Sequence, residues 1–269
     1  MLPYLTVFSL HIPMYGLLIM SGSALGVSFA AYRRHGAAIP RQDVFYAACY
    51  AGIGAFLGAK LLYLALTLPS LIAAGVPLTS QVLYELFAYG FVFYGGVIGG
   101  LGAVFAYSKK YRFSYLPLIE TLIPSVPLIH AFGRLGCFCA GCCYGIPIAP
   151  PWGVYFSVGS VAPYGVALLP IQLYEAGFNI LLFLCLAIYS SKRRPAGRIL
   201  GLYLAAYAPA RFALEFFRSD VARGFLWGVS TSQWISILML LAGLFLLIRK
   251  APEQCLKKQA ESGAQARKA

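Results

Sequence analysis

The chain has 269 residues, of which 60% are hydrophobic and only 11% are charged. A soluble globular domain carries about a quarter charged residues, so this composition excludes an ordinary water-soluble fold. The formal net charge of +13 would favour nucleic acid as the partner of a soluble protein. Here the basic residues lie between apolar runs, which is the pattern that orients membrane proteins. We therefore expect a membrane protein and no nucleic-acid partner.

Seven apolar stretches are long enough to cross a bilayer, for which a helix needs about 20 residues. They cover residues 13–32, 44–66, 86–107, 116–131, 171–189, 199–217 and 230–248. The first stretch follows no basic region and is succeeded by Arg33 and Arg34, so we expect a retained span rather than a cleaved signal peptide. The sequence predicts an all-α polytopic membrane protein, with a single membrane-embedded domain over 1–250 and a polar cytoplasmic tail over 251–269.

The basic residues predict the orientation of these spans. Sixteen of the 21 lysines and arginines fall in four blocks, which follow the first, third, fifth and seventh predicted spans. All four blocks then lie on one side of the membrane, and by the positive-inside rule that side is the cytoplasm. We expect the N-terminus outside and the C-terminus in the cytoplasm. Glycine pairs within the spans let helices approach closely, and packing alone explains most of them.

Five cations fall outside these blocks: Lys60, Arg134, Arg211, Arg218 and Arg223. We expect the four arginines to converge at the outer ends of the fourth and sixth predicted spans. An ionisable side chain inside a span costs several kcal/mol unless it is paired or lines a wet cavity. Arginine keeps its charge and binds phosphate through two parallel hydrogen bonds, so a phospholipid head group is the natural partner. Lys60 is expected only to reach outward to the interface.

The same charges also allow a structural interpretation. Arg211, Glu215 and Arg218 have spacings of four and three, so they share one face of a helix. An internal network of Arg211 with Glu215 and Glu175 would fix helix packing without binding any substrate. Glu120 is expected to be a structural partner or a helix cap.

The longest connection between predicted spans covers residues 132–169 and is rich in Gly, Pro and aromatic residues rather than charge. Irregular backbone of this kind is tolerated at membrane depth where it lines a site. It carries four thiols: Cys137, Cys139, Cys142 and Cys143. They could form disulfides, bind a soft metal or offer a reactive thiolate beside Arg134. Structural or disulfide roles are favoured over metal binding, because no CxxC pair accompanied by a second pair is present.

Six short motifs follow one another in an order known from one protein family. The segment GRLGCFCAGCCYG at 133–145 is similar to the family signature GRxGNFxNGExxG. The segment RFALEFFRSD at 211–220 is similar to RFxxEFFRxPD, and YGGVIG at 94–99 is similar to HGGLIG. Shorter matches are MYG at 14–16, QLYE at 172–175 and SQW at 232–234. By these motifs, the chain resembles a divergent member of the prolipoprotein diacylglyceryl transferase family.

The resemblance implies an enzyme of the bacterial cytoplasmic (inner) membrane that acts at the outer leaflet. Such an enzyme transfers a diacylglyceryl group from phosphatidylglycerol to the lipobox cysteine thiol of a preprolipoprotein and releases glycerol phosphate. No cofactor and no metal are expected. The motifs give catalytic roles to Arg134, Arg211, Tyr94 and Glu215. They give substrate contacts to Tyr15, Gly95, Gly96, Gly133, Gly136, Gly141, Gly145, Gln172, Tyr174, Glu175 and Arg218.

Two departures from the family pattern concern activation of the acceptor thiol. Tyr94 stands where the family has a histidine often proposed as the base. A phenol with a reference pKa of about 10 is a poor base at neutral pH, and none of the three histidines is an obvious replacement. Cys137 and Cys142 replace an Asn and the Glu of the signature. One alternative is therefore a paralogue with a different acceptor. Another is a protein that binds or transports anionic lipid without chemistry, although no internal repeat favours it.

Overall fold

The computed structural model describes residues 3–8, 10–33, 39–157, 159–219 and 224–249. Two compact units make up the chain. The first unit contains Met1–Ala38 and Glu120–Ala269, and the second unit contains Ile39–Ile119. The predicted tail, together with Asp220 and Arg223, lies outside the described residues.

Within the described residues the secondary structure is mostly helical. The helices are α1 (Met14–Tyr32), α2 (Arg41–Ala73), α3 (Ser80–Ala88), α4 (Phe93–Lys110), α5 (Tyr115–Leu122), α6 (Ser125–Ala140), α7 (Ile171–Tyr189), α8 (Arg198–Glu215) and α9 (Thr231–Ile248). Short antiparallel strand pairs are β1 (Tyr4–Val7) with β2 (Leu10–Pro13), β3 (Val154–Tyr155) with β4 (Ala167–Leu168), and β5 (Phe225–Leu226) with β6 (Val229–Ser230).

Among the described helices, four are long and apolar enough to cross a membrane: α1, α2, α7 and α9. The number rises to six if the bent pairs α3 with α4 and α5 with α6 each form one span. At this level the prediction of a helical polytopic membrane protein is confirmed. The remaining predicted span forms α8, whose 18 residues include Arg198, Arg211 and Glu215. Three charged residues within 18 positions set α8 apart from α1, α7 and α9.

The predicted span over 86–107 is wrong as a single straight helix, because the chain bends by 65° between α3 and α4. Gly90 lies in the break with a φ of +76°, a left-handed conformation that glycine adopts at little cost. A side chain there would also meet the ring of Tyr63, since a Cβ on Gly90 would lie 2.2 Å from its Cζ. The break is therefore built into the packing of the second unit.

Lys60 is buried in the second unit, with only 9% of its surface exposed. Its Nζ donates to the carbonyl oxygens of Leu86 at 2.7 Å, Tyr89 at 2.6 Å and Gly90 at 3.2 Å. The ammonium also lies 4.6 Å from the centre of the Phe91 ring. The expected outward reach is wrong, because the last carbonyls of α3 lack helical partners and attract a cation.

Replacing Lys60 with Met is expected to destabilise the second unit. The apolar side chain fills similar space but leaves carbonyls at the α3–α4 break without their donor, at a cost of about 1–3 kcal/mol for each buried group. Thermal unfolding of the detergent-solubilised chain measures the effect. Lys110→Met, at the exposed end of α4, is the matched control. Equal unfolding temperatures for the two variants would contradict this role of Lys60.

Helices α2 and α4 pack through glycines. A Cβ on Gly58 would lie 2.3 Å from the Gly95 oxygen, and one on Gly99 would lie 2.2 Å from the Gly54 oxygen. Larger side chains at these positions would force the two backbones apart. Gly95 thus lies in a helix contact, and the substrate role assigned to it and to Gly96 stays a prediction.

The predicted span over 116–131 is also wrong as a single straight helix with these bounds. It consists of α5 and α6, which are bent by 42°. Pro124 lies at the break, where its missing N–H and its ring interrupt a helix. Helix α6 then continues to Ala140 rather than giving way to a loop at 132. As a result, Arg134 and Cys137 lie three residues apart on one helical face.

In the first unit the helices pack in a series: α1 with α6, α6 with α7, α7 with α8, and α8 with α9. Ser125 donates from Oγ to the Gly26 oxygen at 2.7 Å and joins α6 to α1. Glu120 Oε1 accepts from the backbone N–H of Ile199 at 2.9 Å and of Leu200 at 3.3 Å, in the first turn of α8. The expectation that Glu120 is a structural partner or cap is confirmed.

Candidate functional site

A buried charge network joins α6 to α7. Arg134 Nε lies 3.0 Å from Glu175 Oε2 and 3.2 Å from His130 Nε2. His130 Nε2 also lies 3.4 Å from Glu175 Oε1, and Glu175 is only 1% exposed. The carboxylate balances the guanidinium charge, which a membrane-spanning helix otherwise holds only at high cost.

The geometry of Arg134 leaves part of its guanidinium out of these contacts. Both are made through Nε, so neither occupies Nη1 or Nη2. Arginine binds a phosphate bidentately through parallel N–H groups of this planar fork. Glu175 and His130 therefore orient the side chain, while its outer end keeps the donors that an anion needs.

His130 is a member of the site that the sequence did not single out. Its ring lies 5.6 Å from the ring of Tyr207 on α8. The charges of both Arg134 and Arg211 act on this histidine, which places the two arginines around it. The signal that could have found it is its spacing of four residues from Arg134 on one helix.

A second ion pair lies on α8. Arg211 Nη1 is 2.7 Å from Glu215 Oε2, and the side chains are 13% and 3% exposed. The spacing of four residues had indicated this pair. Glu175 does not extend it in the predicted way, since the described ion pairs of Glu175 are with Arg134 and His130. Each of the two partly buried arginines thus has its own carboxylate partner.

The segment after α8 runs beside the glycine-rich signature. Gly145 and Arg218 form an antiparallel bridge, and Ile146 N–H donates to the Phe217 oxygen at 2.9 Å. Ser219 Oγ donates to the Gly145 oxygen at 2.8 Å. This backbone pairing holds Arg218 against the signature loop.

Gly145→Ala is expected to lower both the activity and the stability of the chain. A Cβ on Gly145 would lie 2.8 Å from the oxygens of Leu169 and Phe217, which are backbone atoms that cannot rotate away. Overpacking of this kind costs about 1–3 kcal/mol. Gly102→Ala in α4 is the control, because its Cβ would meet nothing within 4 Å. Thermal unfolding and initial rates should separate the two variants, and equal behaviour would contradict the close approach at Gly145.

Glycines of the signature bring α6 against α1. A Cβ on Gly136 would lie 3.0 Å from Tyr15 Cα, and one on Gly133 would lie 3.1 Å from Ile19 Cδ1. Tyr15 consequently lies next to α6, where the charge of Arg134 acts on it. These two glycines position the helices, and contact with a substrate stays a prediction for them.

The QLYE motif divides between two environments. Gln172 is fully buried and donates from Nε2 to the Cys142 oxygen at 2.7 Å, so it holds the loop beyond α6. Gly141 ends α6 with a φ of +70°, the left-handed cap that favours glycine. Tyr174 is 47% exposed and does not face the buried network of its neighbour Glu175. Gln172 is thus a positioning residue, whereas Tyr174 lies on an outer face of α7.

The four signature cysteines are not equivalent. The sequence favoured structural or disulfide roles for them; each is a free thiol, so a disulfide is not formed, and a structural role stays a prediction. The Sγ atoms of Cys137, Cys142 and Cys143 lie within 4.8 Å of one another, and we call these three residues the thiol cluster. Cys139 does not belong to it. Because three sulfurs lie close together, a single disulfide between two cysteines would not account for the arrangement.

Cys142 and Cys143 lie in the loop beyond α6. Hydrogen bonds from the thiols of Cys137 and Cys142 lower the pKa of Cys143, and the charges of Arg134 and Arg218 add to this effect. A hydrogen bond from Cys137 lowers the pKa of Cys142, but a hydrogen bond to Cys143 and burial outweigh it and raise that pKa to about 11. The loop thus favours a single thiolate at Cys143.

Tyr94 belongs to the second unit, where it lies in the first turn of α4. Its ring is 5.6 Å from that of Phe93, in an edge-to-face arrangement. The catalytic role that the sequence gave to Tyr94 stays a prediction.

A helical membrane protein with two partly buried arginines, each oriented by a carboxylate, has the features of a protein that acts on an anionic lipid. The sequence profile of the prolipoprotein diacylglyceryl transferase family matches residues 3–249. The chain belongs to this family.

Individual relatives agree with this assignment. The chain is 37% identical over 239 residues to a phosphatidylglycerol–prolipoprotein diacylglyceryl transferase of Clostridium tetani, which covers 89% of this chain and 93% of the relative. Identity to transferase 2 of Clostridium perfringens is 33% over 240 residues, or 89% and 91% of the two chains. Identity to the transferase of Bordetella parapertussis is 34% over 253 residues, or 91% and 94%.

Proposed function

We propose that this chain is a transferase that moves the diacylglyceryl group of phosphatidylglycerol to the lipobox cysteine thiol of a preprolipoprotein. The observation that carries the proposal is the geometry of Arg134. Its Nε is held by Glu175 and His130, and the two terminal nitrogens take no part in those contacts. In a chain of this family, such an arginine is suited to the phosphate of the lipid.

The bonds of the reaction explain why cations are needed. The acceptor sulfur forms a bond to a glycerol carbon of the lipid, and the bond from that carbon to the phosphate oxygen breaks. The electron pair of the broken bond stays on this oxygen, so a phosphodiester becomes a phosphomonoester with added negative charge. The thiol proton ends on the glycerol phosphate or in water. Donors placed in advance at such a developing charge contribute roughly 100- to 1000-fold each to the rate.

Arg134 and Arg211 are the proposed phosphate clamp. Glu175 orients Arg134, and Glu215 orients Arg211, through the ion pairs at 3.0 and 2.7 Å. Arg218 is proposed to bind the lipid head group from the adjoining segment. A catalytic role for Tyr94, which stands where the family has a histidine, stays a prediction that rests on the motif alone.

The membrane topology is part of the proposal. With α8 as a seventh span, the four basic blocks fall on one side of the membrane, whereas six spans would put the last block opposite the other three. We therefore propose seven spans with the N-terminus outside, the C-terminus in the cytoplasm and the site toward the outer leaflet of a bacterial cytoplasmic membrane. A single membrane-embedded domain over 1–250 likewise stays a prediction.

Mass spectrometry of a lipobox peptide incubated with the purified chain and phosphatidylglycerol tests the activity. We expect the mass of a diacylglyceryl group on the cysteine peptide and none on its Cys→Ser counterpart. A lipid adduct on another acceptor alone would instead favour the divergent-paralogue alternative. Bound lipid without any product would favour a non-enzymatic lipid-binding protein. Either result contradicts the proposed transfer.

A further inference from the structure

The thiol cluster occupies the part of the signature in which this chain departs from its family. Cys137 lies in the last turns of α6, and Cys142 and Cys143 follow the left-handed Gly141. The backbone N–H of Cys142 donates to the Cys137 oxygen at 3.1 Å, which folds the loop back onto the helix end. Cys143 itself has a φ of +58°, an uncommon conformation for a residue with a side chain. The three sulfurs are brought together by this turn.

The cluster is also held from outside. Gln172, fully buried on α7, binds the Cys142 oxygen at 2.7 Å. The bridge between Gly145 and Arg218 fixes the loop two residues beyond Cys143. The sulfurs therefore meet in a structured environment, as a site that binds a ligand requires.

The meeting of three sulfurs fits a metal ion better than a disulfide. A thiophilic ion binds thiolate at about 2.3 Å, which places sulfurs bound to one ion about 3.8–4.0 Å apart. The three sulfurs here lie within 4.8 Å of one another, so small side-chain rotations reach that spacing. A disulfide would use two of the sulfurs and leave the third unexplained.

The charge around the cluster favours an occupied thiolate site. Three thiolates and one divalent ion together carry a net charge of −1. The bridge to Gly145 holds Arg218 beside the loop that carries Cys142 and Cys143, so Arg218 contributes positive charge near the cluster, whereas Glu175 already balances the charge of Arg134. Soft thiolate ligands select ions such as Zn(II) over Mg(II) or Ca(II).

We propose that Cys137, Cys142 and Cys143 bind one thiophilic ion of the Zn(II) class and leave a fourth position open for the acceptor thiol. Three protein ligands with an open position are typical of a catalytic rather than a structural zinc site. A thiol that coordinates such an ion loses its proton and is held as a nucleophile. The ion would thereby lower the pKa of the acceptor thiol, a task for which the phenol of Tyr94 is poorly suited at neutral pH.

This inference rests on the proposed transfer reaction, and its bonds balance without any redox step. The acceptor thiol gives its proton to water on binding the ion. Its sulfur then bonds to the glycerol carbon while the carbon–oxygen bond to phosphate breaks. The resulting thioether is a weaker ligand than a thiolate and leaves, so the ion is regenerated. Arg134, three residues from Cys137 on the same helix, is placed to bind the leaving phosphate.

Metal titration of the full-length chain, purified under reducing conditions, tests the site independently of activity. Cd(II), a thiophilic ion with an ultraviolet thiolate charge-transfer band, is the probe. We expect one ion per chain, loss of this binding in Cys142→Ser and in Cys143→Ser, and unchanged binding in Cys139→Ser. Lipobox cysteine peptide should shift the band, whereas its serine counterpart should not.

Several results would overturn the site. They are no thiolate band, equal binding in all of these variants, or a disulfide within the cluster of the isolated protein. Transfer assays separate this inference from the proposed function. Full transfer by chain freed of metal would overturn the role of the ion and leave the transferase standing. Peptide-dependent metal binding without transfer to any peptide would overturn the transferase and leave the metal site standing.

Discussion

Arg134→Lys is expected to lower kcat for diacylglyceryl transfer by roughly 100- to 1000-fold while the chain remains folded. Lysine keeps the positive charge beside Glu175, so the buried pair at 3.0 Å is still neutralised. It has no planar fork, however, and cannot hold a phosphate through two parallel N–H groups. The loss should therefore fall on the chemical step rather than on stability.

The initial rate of thioether formation, measured at saturating phosphatidylglycerol, gives kcat for this variant. Arg193→Lys is the matched control, since Arg193 is an exposed arginine in the loop after α7. Thermal unfolding of both variants checks that the fold is retained. A kcat for Arg134→Lys within a few-fold of the unsubstituted chain would exclude Arg134 from the phosphate clamp.

Glu175→Leu is expected to destabilise the first unit by about 3–5 kcal/mol, because it leaves a buried charge without its partner. Glu175 is 1% exposed and contacts both Arg134 and His130. Removing the guanidinium as well, in Arg134→Leu combined with Glu175→Leu, should restore most of the lost stability, since no unpaired charge remains. The double variant should nevertheless be inactive, as it lacks the proposed clamp.

Denaturation of detergent-solubilised protein and transfer assays on the same preparations measure both properties. Stability that returns without activity would separate the structural part of the network from its chemical part. If the double variant is less stable than Glu175→Leu alone, Arg134 and Glu175 are not coupled as their contact indicates.

The sequence predicted the spans best where an apolar run is continuous. Helix α7 begins and ends at the predicted residues 171 and 189, and α1 differs from its predicted span by one residue. The break before α4 was missed because it depends on Lys60, which comes from a distant position in α2. The extension of α6 to Ala140 was missed because its glycines and cysteines resemble a loop. In the fold those small residues allow close packing against α1 at Tyr15.

The sequence predicted most of the charged residues of the site, but it did not predict all of the ion pairs that they form with one another. Arg134 and Arg211 were found because they lie outside the four basic blocks that the positive-inside rule explains. Glu215 was found from its helical spacing of four residues from Arg211. That Glu175 pairs with Arg134 follows from the packing of α6 against α7, which no local pattern contains. The packing of α6 against α7 also places His130 beside Glu175. The separation of Cys139 from the thiol cluster depends on the turn at Gly141 and likewise has no signal in the spacing alone.

The central claim is that the leaving phosphate and the transferred lipid come from one displacement reaction. Phosphatidylglycerol that carries one label in its head-group phosphate and another in its acyl chains tests this directly, with purified chain and a lipobox peptide. We expect glycerol phosphate and diacylglyceryl thioether in equal amounts, and neither product when the peptide cysteine is replaced by serine. Glycerol phosphate released without the thioether, or lipid bound with no release at all, would contradict the claim.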